Sequence, residues 1–196
     1  MALPHTALTR RTCLRAGATT WLGAALAPGA VWAQAQALPA ELQRALPGAQ
    51  LQGEGRLRFV GLRVYDARLW VASGWETAAW ARTPLALELI YARSLKGRLI
   101  AERSLTEMAR SGPIDEAQRS AWLAAMGALF PDVNEGDRIT GVFTPGSTAT
   151  FFLNGQPLGE VRDARFAERF FGIWLSPQTS EPALRQALLS GGRVTP

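Results

Sequence analysis

The alternation of apolar and polar residues predicts β-strands in two parts of the chain. In the first part, Leu57 and Phe59 alternate with arginines, and a period of two is typical of a half-buried strand. Because the β-rich pattern continues beyond Gly61, we expect two long strands or one bent strand kinked near this glycine. Further strands are predicted over residues 84–92, 138–143, 148–153 and 157–162.

A helical period follows the strand predicted over residues 84–92. Trp122, Met126 and Leu129 recur at intervals of three and four residues, which gives one apolar stripe. Asp163 is well placed to cap a later helix that carries several aromatic residues on one face. The predicted helices and helical turns cover residues 38–46, 77–81, 95–110, 115–129, 163–175 and 181–189, the last with Ser180 as its cap.

The dipeptide Asn154-Gly155 is the strongest turn signal in the chain. Both residues tolerate the positive φ of a type I′ turn, so the flanking strands are expected to form an antiparallel hairpin. Strands, two helices, a hairpin and two further helices follow one another along the sequence. This order predicts an α+β domain, with a largely antiparallel β-sheet and helices packed on one face.

The first part of the chain has the pattern of an export signal. Arg10 and Arg11 precede a mildly apolar run, and alternating alanines follow that run. The two adjacent arginines resemble a twin-arginine signal, which predicts a periplasmic or secreted protein. The alternative is an ordinary secretory signal that happens to contain two arginines.

Cleavage of this signal is expected after Ala35 or Ala37, because the alanines offer A-x-A steps there. The signal peptide then covers residues 1–35, and one domain covers residues 38–190. A domain of this length can bury a substantial core. No integral membrane segment is expected once the signal is removed.

Removal of the signal would take away the only histidine, His5, and the only cysteine, Cys13. The remaining chain could then form no disulfide, and it would have no histidine base and no His/Cys metal site. We therefore expect no metal and no other cofactor, and we assign no catalytic residue. Without the three basic residues of the signal, 18 basic and 16 acidic residues remain. No basic run among them is suited to nucleic acid.

Two other motifs have plainer interpretations. Gly53-Glu54-Gly55 matches half of a dinucleotide-binding fingerprint, but the third glycine and the following helix are missing, so no nucleotide site is expected. Residues 131–137 bring three carboxylates together without the spacing of a calcium loop, which favours a solvated loop.

Arginines on the first predicted strands are candidates for binding an anionic headgroup. Arg56 and Arg58 share one face, and Arg63 lies on the other face if the strand is regular. A guanidinium group beside an apolar cleft would bind a carboxylate or a phenolate. The alternative is that these side chains form the polar outer face of a half-covered sheet.

Three sequence blocks, taken in order, resemble the bacterial chalcone isomerase-like family. They are GRLRFVGLRVYDARLWV at residues 55–71, LNGQPLGEV at the end of residues 136–161, and FAERFFGIWL at residues 166–175. The resemblance covers about residues 38–190. It implies an antiparallel sheet with helices layered on one side, which is an open-faced sandwich.

The resemblance does not by itself imply that this chain catalyses the chalcone isomerase reaction. In the plant enzymes of this fold, a cation steadies the phenolate of a chalcone while a Tyr/Thr network polarises its ketone. The corresponding Arg, Thr and Tyr positions fall near Gly48, at Val60 and near Ile100, so none of these residue types is retained. Non-catalytic relatives of the fold hold fatty acids, with an arginine at the mouth of the cleft.

The leading hypothesis is an exported, non-catalytic domain that binds a small amphipathic ligand, a fatty acid or a phenolic compound, in a cleft. One alternative is an intramolecular lyase of the chalcone isomerase type, with polar chemistry from Tyr65, Tyr91 and Lys96. Another is a module that binds a partner protein, of unknown identity, and no small ligand. The candidate ligand-binding residues are Arg56, Arg58, Arg63, Tyr65, Tyr91 and Lys96.

Overall fold

A computed structural model describes residues 37–191 of the chain. Arg10, Arg11 and Ala35 of the predicted signal peptide lie outside the described residues, so the signal and its cleavage remain predictions. Within the described range, no helix combines the length and the apolar character that crossing a membrane requires.

Six strands of the described range form one antiparallel sheet, in which neighbours along the chain are also neighbours in the sheet. Strands β1 and β2 are separate and are joined at Val60-Gly61, so the first of the two predicted arrangements is correct. The strands are β1 (Gln50–Phe59), β2 (Leu62–Val71), β3 (Leu85–Tyr91), β4 (Arg138–Thr144), β5 (Thr148–Leu153) and β6 (Gln156–Val161).

Helices precede the sheet, interrupt it after β3 and follow its last strand, in the predicted order. This arrangement confirms the predicted α+β class. Short 3₁₀ turns cover Thr77–Arg82 and Ala109–Ser111. The α-helices are α1 (Ala40–Ala45), α2 (Gly97–Met108), α3 (Glu116–Leu129), α4 (Ala164–Leu175) and α5 (Pro182–Leu189).

The main core lies between one face of the sheet and helices α2 to α5. Leu69 and Leu87 project into it from neighbouring strands, because alternate residues of a strand share one side. Phe166 and Phe170 of α4 stack with ring centroids 5.6 Å apart. Phe170 also meets Phe151 of β5 edge-on at 5.1 Å. The aromatic residues of α4 therefore belong to the core.

A smaller core lies on the opposite face of the sheet. Leu42 and Leu46 of α1 pack there against Trp70, Ala86 and Val142. These three strand residues alternate with residues of the main core and so point the other way. Helix α1 thus adds partial cover on the second face to the helical layer that the sequence predicts.

Gly53 and Gly55 of β1 have a packing role. A Cβ atom at Gly53 would lie 2.5 Å from the carbonyl oxygens of Ala187 and Leu188. A Cβ atom at Gly55 would lie 2.7 Å from the side chain of Leu184. The absence of side chains lets α5 approach β1 closely, which accounts for the two glycines without a nucleotide.

The predicted cap of α5 by Ser180 is wrong. The helix begins at Pro182, Glu181 occupies the N-cap, and no side chain caps the helix. The hydroxyl of Thr179 accepts a hydrogen bond from the Glu181 amide at 3.1 Å. Pro182 has no amide hydrogen, so the first turn has one donor fewer that needs a cap.

Asp163 caps α4, as the sequence predicts. Its Oδ1 accepts hydrogen bonds from the amides of Arg165 at 2.9 Å and Phe166 at 3.0 Å. Its Oδ2 accepts a bond from the indole of Trp122, which is buried, at 2.8 Å. Partial burial alone would raise the pKa of Asp163, but these hydrogen bonds hold that pKa below its ordinary value.

Asp163→Ala is expected to lower the free energy of unfolding by about 2–3 kcal/mol, because α4 loses its cap and the Trp122 indole loses its acceptor. Since the ionised carboxylate is the stabilising form, the deficit is full at neutral pH. It narrows as the pH falls below about 4 and through the depressed pKa. Urea unfolding at neutral and acidic pH measures both effects.

Asp115→Ala is the matched control, because Asp115 caps α3 through one bond to the Gln118 amide. This substitution should lower the free energy of unfolding by about 1 kcal/mol. Equal losses for the two variants would contradict a role for the indole bond.

The two hairpins with two-residue turns, β1–β2 and β5–β6, use different residues at equivalent turn positions. In the turn between β5 and β6, Asn154 and Gly155 have φ values of +50° and +85°. In the turn between β1 and β2, Val60 and Gly61 have φ values of +48° and +77°. Asparagine and glycine adopt this conformation readily, whereas it is a genuine outlier for a β-branched residue. Val60 therefore strains the tip of its hairpin.

Val60→Asn is expected to raise the free energy of unfolding by about 1 kcal/mol, because asparagine relieves this strain. The valine side chain is 84% exposed, so its removal sacrifices little packing. Thermal or urea unfolding measures the change. A Val60→Asn protein less stable than the wild type would contradict the presence of strain.

Candidate functional site

A cleft opens between the main-core face of the sheet and helices α2 and α4. Its volume is about 310 Å³, at the lower end of the range for small-ligand sites. Phe59 and Leu99 line the cleft and are themselves exposed, so the cleft reaches the protein surface beside them. The rest of the lining is mainly apolar, with a small set of polar groups.

Two tyrosines rise from the sheet into the cleft. Tyr65 of β2 is paired in register with Tyr91 of β3, so both side chains project from the same face. Their rings meet edge-on with centroids 6.0 Å apart. Leu89, two residues before Tyr91, continues the same row and also lines the cleft. The pleat of the sheet thus delivers both phenol groups to the site.

The two tyrosine hydroxyls have different surroundings. Trp174 Nε1 donates a hydrogen bond to Tyr65 Oη at 2.9 Å. The Tyr91 hydroxyl has no hydrogen-bond partner among residues 37–191. Burial raises the pKa of Tyr65 and of Tyr91 well above the ordinary value. Both phenols therefore remain protonated at neutral pH and can donate a hydrogen bond to a ligand oxygen.

Helix α2 supplies part of the polar wall. Arg103 and Glu107 lie one turn apart and face the cleft together. Arg103 Nη2 lies 2.7 Å from Glu107 Oε1. Glu107 is buried, and within the described part of the chain its Oε2 has no hydrogen-bond partner. The Nε of Arg110 is 3.7 Å from this oxygen. A buried acceptor without a hydrogen bond is uncommon, and here the Arg110 guanidinium lies nearby.

The charged groups that line the cleft balance one another. Arg93 and Arg103 are basic, and Glu107 and Glu181 are acidic. Arg103 contacts Glu107 through one nitrogen, which leaves other guanidinium N–H groups for a ligand. The cleft is therefore suited to a molecule with an apolar body and a polar head that can accept a bond from the guanidinium.

Arg56, Arg58 and Arg63 lie outside the cleft lining. Arg56 Nε contacts Asp66 Oδ1 at 2.7 Å, and Arg63 pairs with the same carboxylate. Partial burial would raise the pKa of Asp66, but the two guanidinium groups hold that pKa below its ordinary value. Arg58 is exposed and lies opposite Arg63, beyond a register shift after Leu57. This irregularity is why simple alternation did not locate the arginines.

Lys96 also lies outside the cleft lining. Its Nζ is 2.6 Å from Asp132 Oδ2, while Asp132 Oδ1 accepts a hydrogen bond from the Gly97 amide at 3.0 Å. Asp132 therefore ties the start of α2 to the loop after α3. Of the six predicted ligand-binding residues, the structure brings Tyr65 and Tyr91 together in the cleft.

The three positions that correspond to the plant catalytic residues are dispersed. Gly48 lies before β1, and Val60 forms the tip of the first hairpin. Ile100 alone of the three lines the cleft. The apolar side chain at this position adds to the apolar wall.

Arg93, Arg103 and Glu107 are cleft residues that the sequence reasoning missed. A helical period would have found two of them, because Arg103 and Glu107 follow Ile100 by three and seven residues. Arg93 lies in the connection between β3 and α2, where no periodic pattern marks it.

Comparisons with known proteins agree with this fold. The family model described as chalcone isomerase-like matches residues 33–190. An uncharacterised protein of Haemophilus influenzae is 29% identical over 147 residues, which cover 74% of this chain and 71% of that protein. An Arabidopsis thaliana fatty-acid binding protein shares the fold with a TM-score of 0.59 and 13% identity, over 78% of this chain and 90% of that chain. The chain therefore belongs to the chalcone isomerase-like family.

Proposed function

We propose that this protein binds one small amphipathic molecule, a fatty acid or a phenolic compound, in the cleft and does not transform it. The observation that carries the proposal is an apolar cleft of about 310 Å³ with an arginine, Arg103, in its wall. A site of this size suits a single short chain or a small aromatic body. The free N–H groups of Arg103 provide a partner for the polar head.

The polar groups of the cleft favour a head that accepts hydrogen bonds. Arg103 and the Tyr91 hydroxyl both line the cleft and are hydrogen-bond donors. A carboxylate or a phenolic oxygen meets this requirement. The fatty-acid binding named for the Arabidopsis relative is consistent with the same chemistry.

We also propose that the protein acts after export, as a periplasmic or secreted domain that begins near residue 38. Helix α1 starts at Ala40, and its Glu41 and Leu42 are buried against the sheet. Cleavage after Ala35 or Ala37 would leave these contacts intact. N-terminal sequencing of the protein recovered from the culture medium and periplasm tests this proposal, and an intact leader in those fractions would refute it.

Native mass spectrometry after addition of fatty acids and simple phenols tests the binding function. A complex with one ligand per protein is expected for single-chain fatty acids or for small phenols. Ile100→Glu places a charge in the apolar lining and is expected to abolish the complex. Glu116→Gln, on an exposed turn of α3, is the control that should retain it. Failure of the wild type to retain any of these molecules would refute the proposal.

A second candidate is an intramolecular lyase that acts on a phenolic or unsaturated ketone. The observation that favours it is the pair of protonated phenols in the cleft, Tyr65 and Tyr91, whose ring centroids are 6.0 Å apart. Such donors could polarise a ketone oxygen. Cyclisation of naringenin chalcone faster than the spontaneous rate, and lost in Tyr91→Phe, would establish this function. A module without a small ligand was the remaining alternative, and a closed, filled cleft would have favoured it.

A further inference from the structure

The exposed large apolar side chains of residues 37–191 gather at the mouth of the cleft. They are Phe59, Val60, Leu62 and Leu99, with 60%, 84%, 56% and 48% of their surface exposed. Phe59 and Leu99 line the cleft itself, while Val60 and Leu62 belong to the adjoining tip of the β1–β2 hairpin. We call these four residues the apolar rim. A concentration of exposed apolar surface at one place marks an interaction site.

The β1–β2 hairpin carries two features near its tip that lower the stability of the fold. Val60 occupies a left-handed turn position at φ +48°, where the turn between β5 and β6 has asparagine. Arg58 lies directly opposite Arg63 in the β-ladder, and the one carboxylate at this end, Asp66, pairs with Arg56 and Arg63, so the positive charge there is only partly balanced. Val60 and Arg58 gain no packing in return, because both side chains are exposed. Costs that the folded chain does not recover point to a contact made outside it.

Basic residues are concentrated in the two chain segments that carry the apolar rim. Residues 56–66 and 93–99 carry six basic residues and one acidic residue. The rest of residues 37–191 carry eleven basic and fifteen acidic residues. The rim segments therefore have a net charge of +5, against −4 for the remainder of the described chain. Two of these basic residues form ion pairs with acids outside the segments, Lys96 with Asp132 and Arg98 with Glu102. The net charge of the rim segments remains positive when both acids are counted.

We propose that the apolar rim docks on an anionic lipid bilayer, with Val60 and Leu62 inserted among the acyl chains and the surrounding arginines at the phosphates. Exposed apolar side chains in segments with an excess of basic residues match the two layers of such a surface, an apolar interior beneath negative headgroups. Docking would also bring the mouth of the cleft to the membrane, so that an amphipathic ligand could pass between bilayer and cleft. That last step rests on the proposed ligand-binding function, whereas docking itself does not.

Co-sedimentation with lipid vesicles tests the proposal. The wild-type protein is expected to bind vesicles of phosphatidylcholine and phosphatidylglycerol in equal amounts, and to bind pure phosphatidylcholine vesicles at least about tenfold more weakly. High salt should weaken the binding to anionic vesicles. Val60→Asn combined with Leu62→Ser should reduce it by about tenfold or more, since two apolar contacts are lost. Neither of these residues lines the cleft.

Two single substitutions test whether vesicle binding depends on basic residues near the apolar rim or on basic residues anywhere on the surface. Arg58→Gln should weaken binding to anionic vesicles about fivefold, because each basic residue near the surface contributes about that factor. Arg44→Gln is the matched control, since Arg44 is exposed on α1 beneath the opposite face of the sheet and should leave binding unchanged. Equal binding by the wild type and the Val60/Leu62 double variant would overturn the proposal.

The docking proposal and the ligand-binding proposal can be refuted separately. A wild-type protein that retains a fatty acid in native mass spectrometry but does not bind anionic vesicles overturns docking and leaves the proposed function standing. A protein that binds vesicles through the rim but retains no ligand supports docking and refutes the proposed function. Capture of a protein partner that is lost in the double variant, without any vesicle binding, would assign the rim to that partner and overturn the membrane proposal.

Discussion

Replacing Arg138 with methionine should lower the free energy of unfolding by about 3–5 kcal/mol, because it breaks a buried network of charges. Arg138 Nη2 lies 2.9 Å from Glu41 Oε1, and its Nη1 lies 3.0 Å from Glu88 Oε1. Both carboxylates are buried. Methionine keeps much of the side-chain volume but leaves two buried charges without the cation that joins them.

The other partners of these carboxylates are too few to compensate. Glu41 retains a hydrogen bond from the Thr140 hydroxyl at 2.9 Å. Glu88 retains the Trp70 indole at 3.3 Å and the more distant Arg68 at 3.5 Å. The network also fastens α1 to the second face of the sheet, because Glu41 belongs to that helix. Loss of Arg138 should therefore loosen the beginning of the domain first.

Urea unfolding measures this loss, and Arg119→Met is the matched control. Arg119 meets an exposed carboxylate at 3.8 Å on the surface of α3, so its replacement should change stability by less than about 0.5 kcal/mol. Adding Glu41→Gln to Arg138→Met should restore part of the stability, since one of the unpaired charges is removed. A loss below about 1 kcal/mol for Arg138→Met would contradict the structural role given to this network.

Arg103→Gln is expected to weaken the binding of a fatty-acid anion by about tenfold to a hundredfold. A charge-assisted hydrogen bond contributes about 1.5–3 kcal/mol, and glutamine cannot supply the charge. Arg103 lies in the wall of the cleft beside Glu107, at 2.7 Å, and has N–H groups left for a ligand. Competition against a fluorescent fatty acid measures the change in affinity.

A neutral probe distinguishes headgroup recognition from damage to the cleft. The alcohol with the same chain length as the fatty acid should lose much less affinity in Arg103→Gln, because it carries no charge to be recognised. Arg98→Gln is the matched control on the same helix, since Arg98 is exposed, pairs with Glu102 and does not line the cleft. Equal losses for the acid and the alcohol would show that Arg103 shapes the cleft and does not bind the head.

Much of the fold could be predicted from the sequence because its signals are local. The Asn154-Gly155 turn, the cap at Asp163 and the period of two in residues 84–92 each depend on neighbouring residues, and the structure contains all three elements. Helix α1 was predicted as an element, but its place on the second face depends on contacts with Trp70 and Val142, which are distant in sequence. The cap of α5 was predicted wrongly because the helix begins one residue later than expected, at Pro182, so that Glu181 and not Ser180 occupies the N-cap.

The candidate site was less accessible to sequence reasoning. Tyr65 and Tyr91 meet because β2 and β3 pair in one register, and no local pattern fixes that register. The register shift after Leu57 moves Arg58 opposite Arg63, where regular alternation does not place it. Family membership was predicted from the order of three sequence blocks, and the match of the family model to residues 33–190 confirms it.

The central claim, a ligand held in the cleft, is tested most directly by crystals of the protein with a fatty acid that carries bromine at its chain end. The expected anomalous density places the bromine between the sheet and α2, among the apolar side chains near Ile100, with the carboxylate within hydrogen-bond distance of Arg103. Density for the ligand only at the outer surface, or an empty cleft at saturating ligand, would contradict the claim.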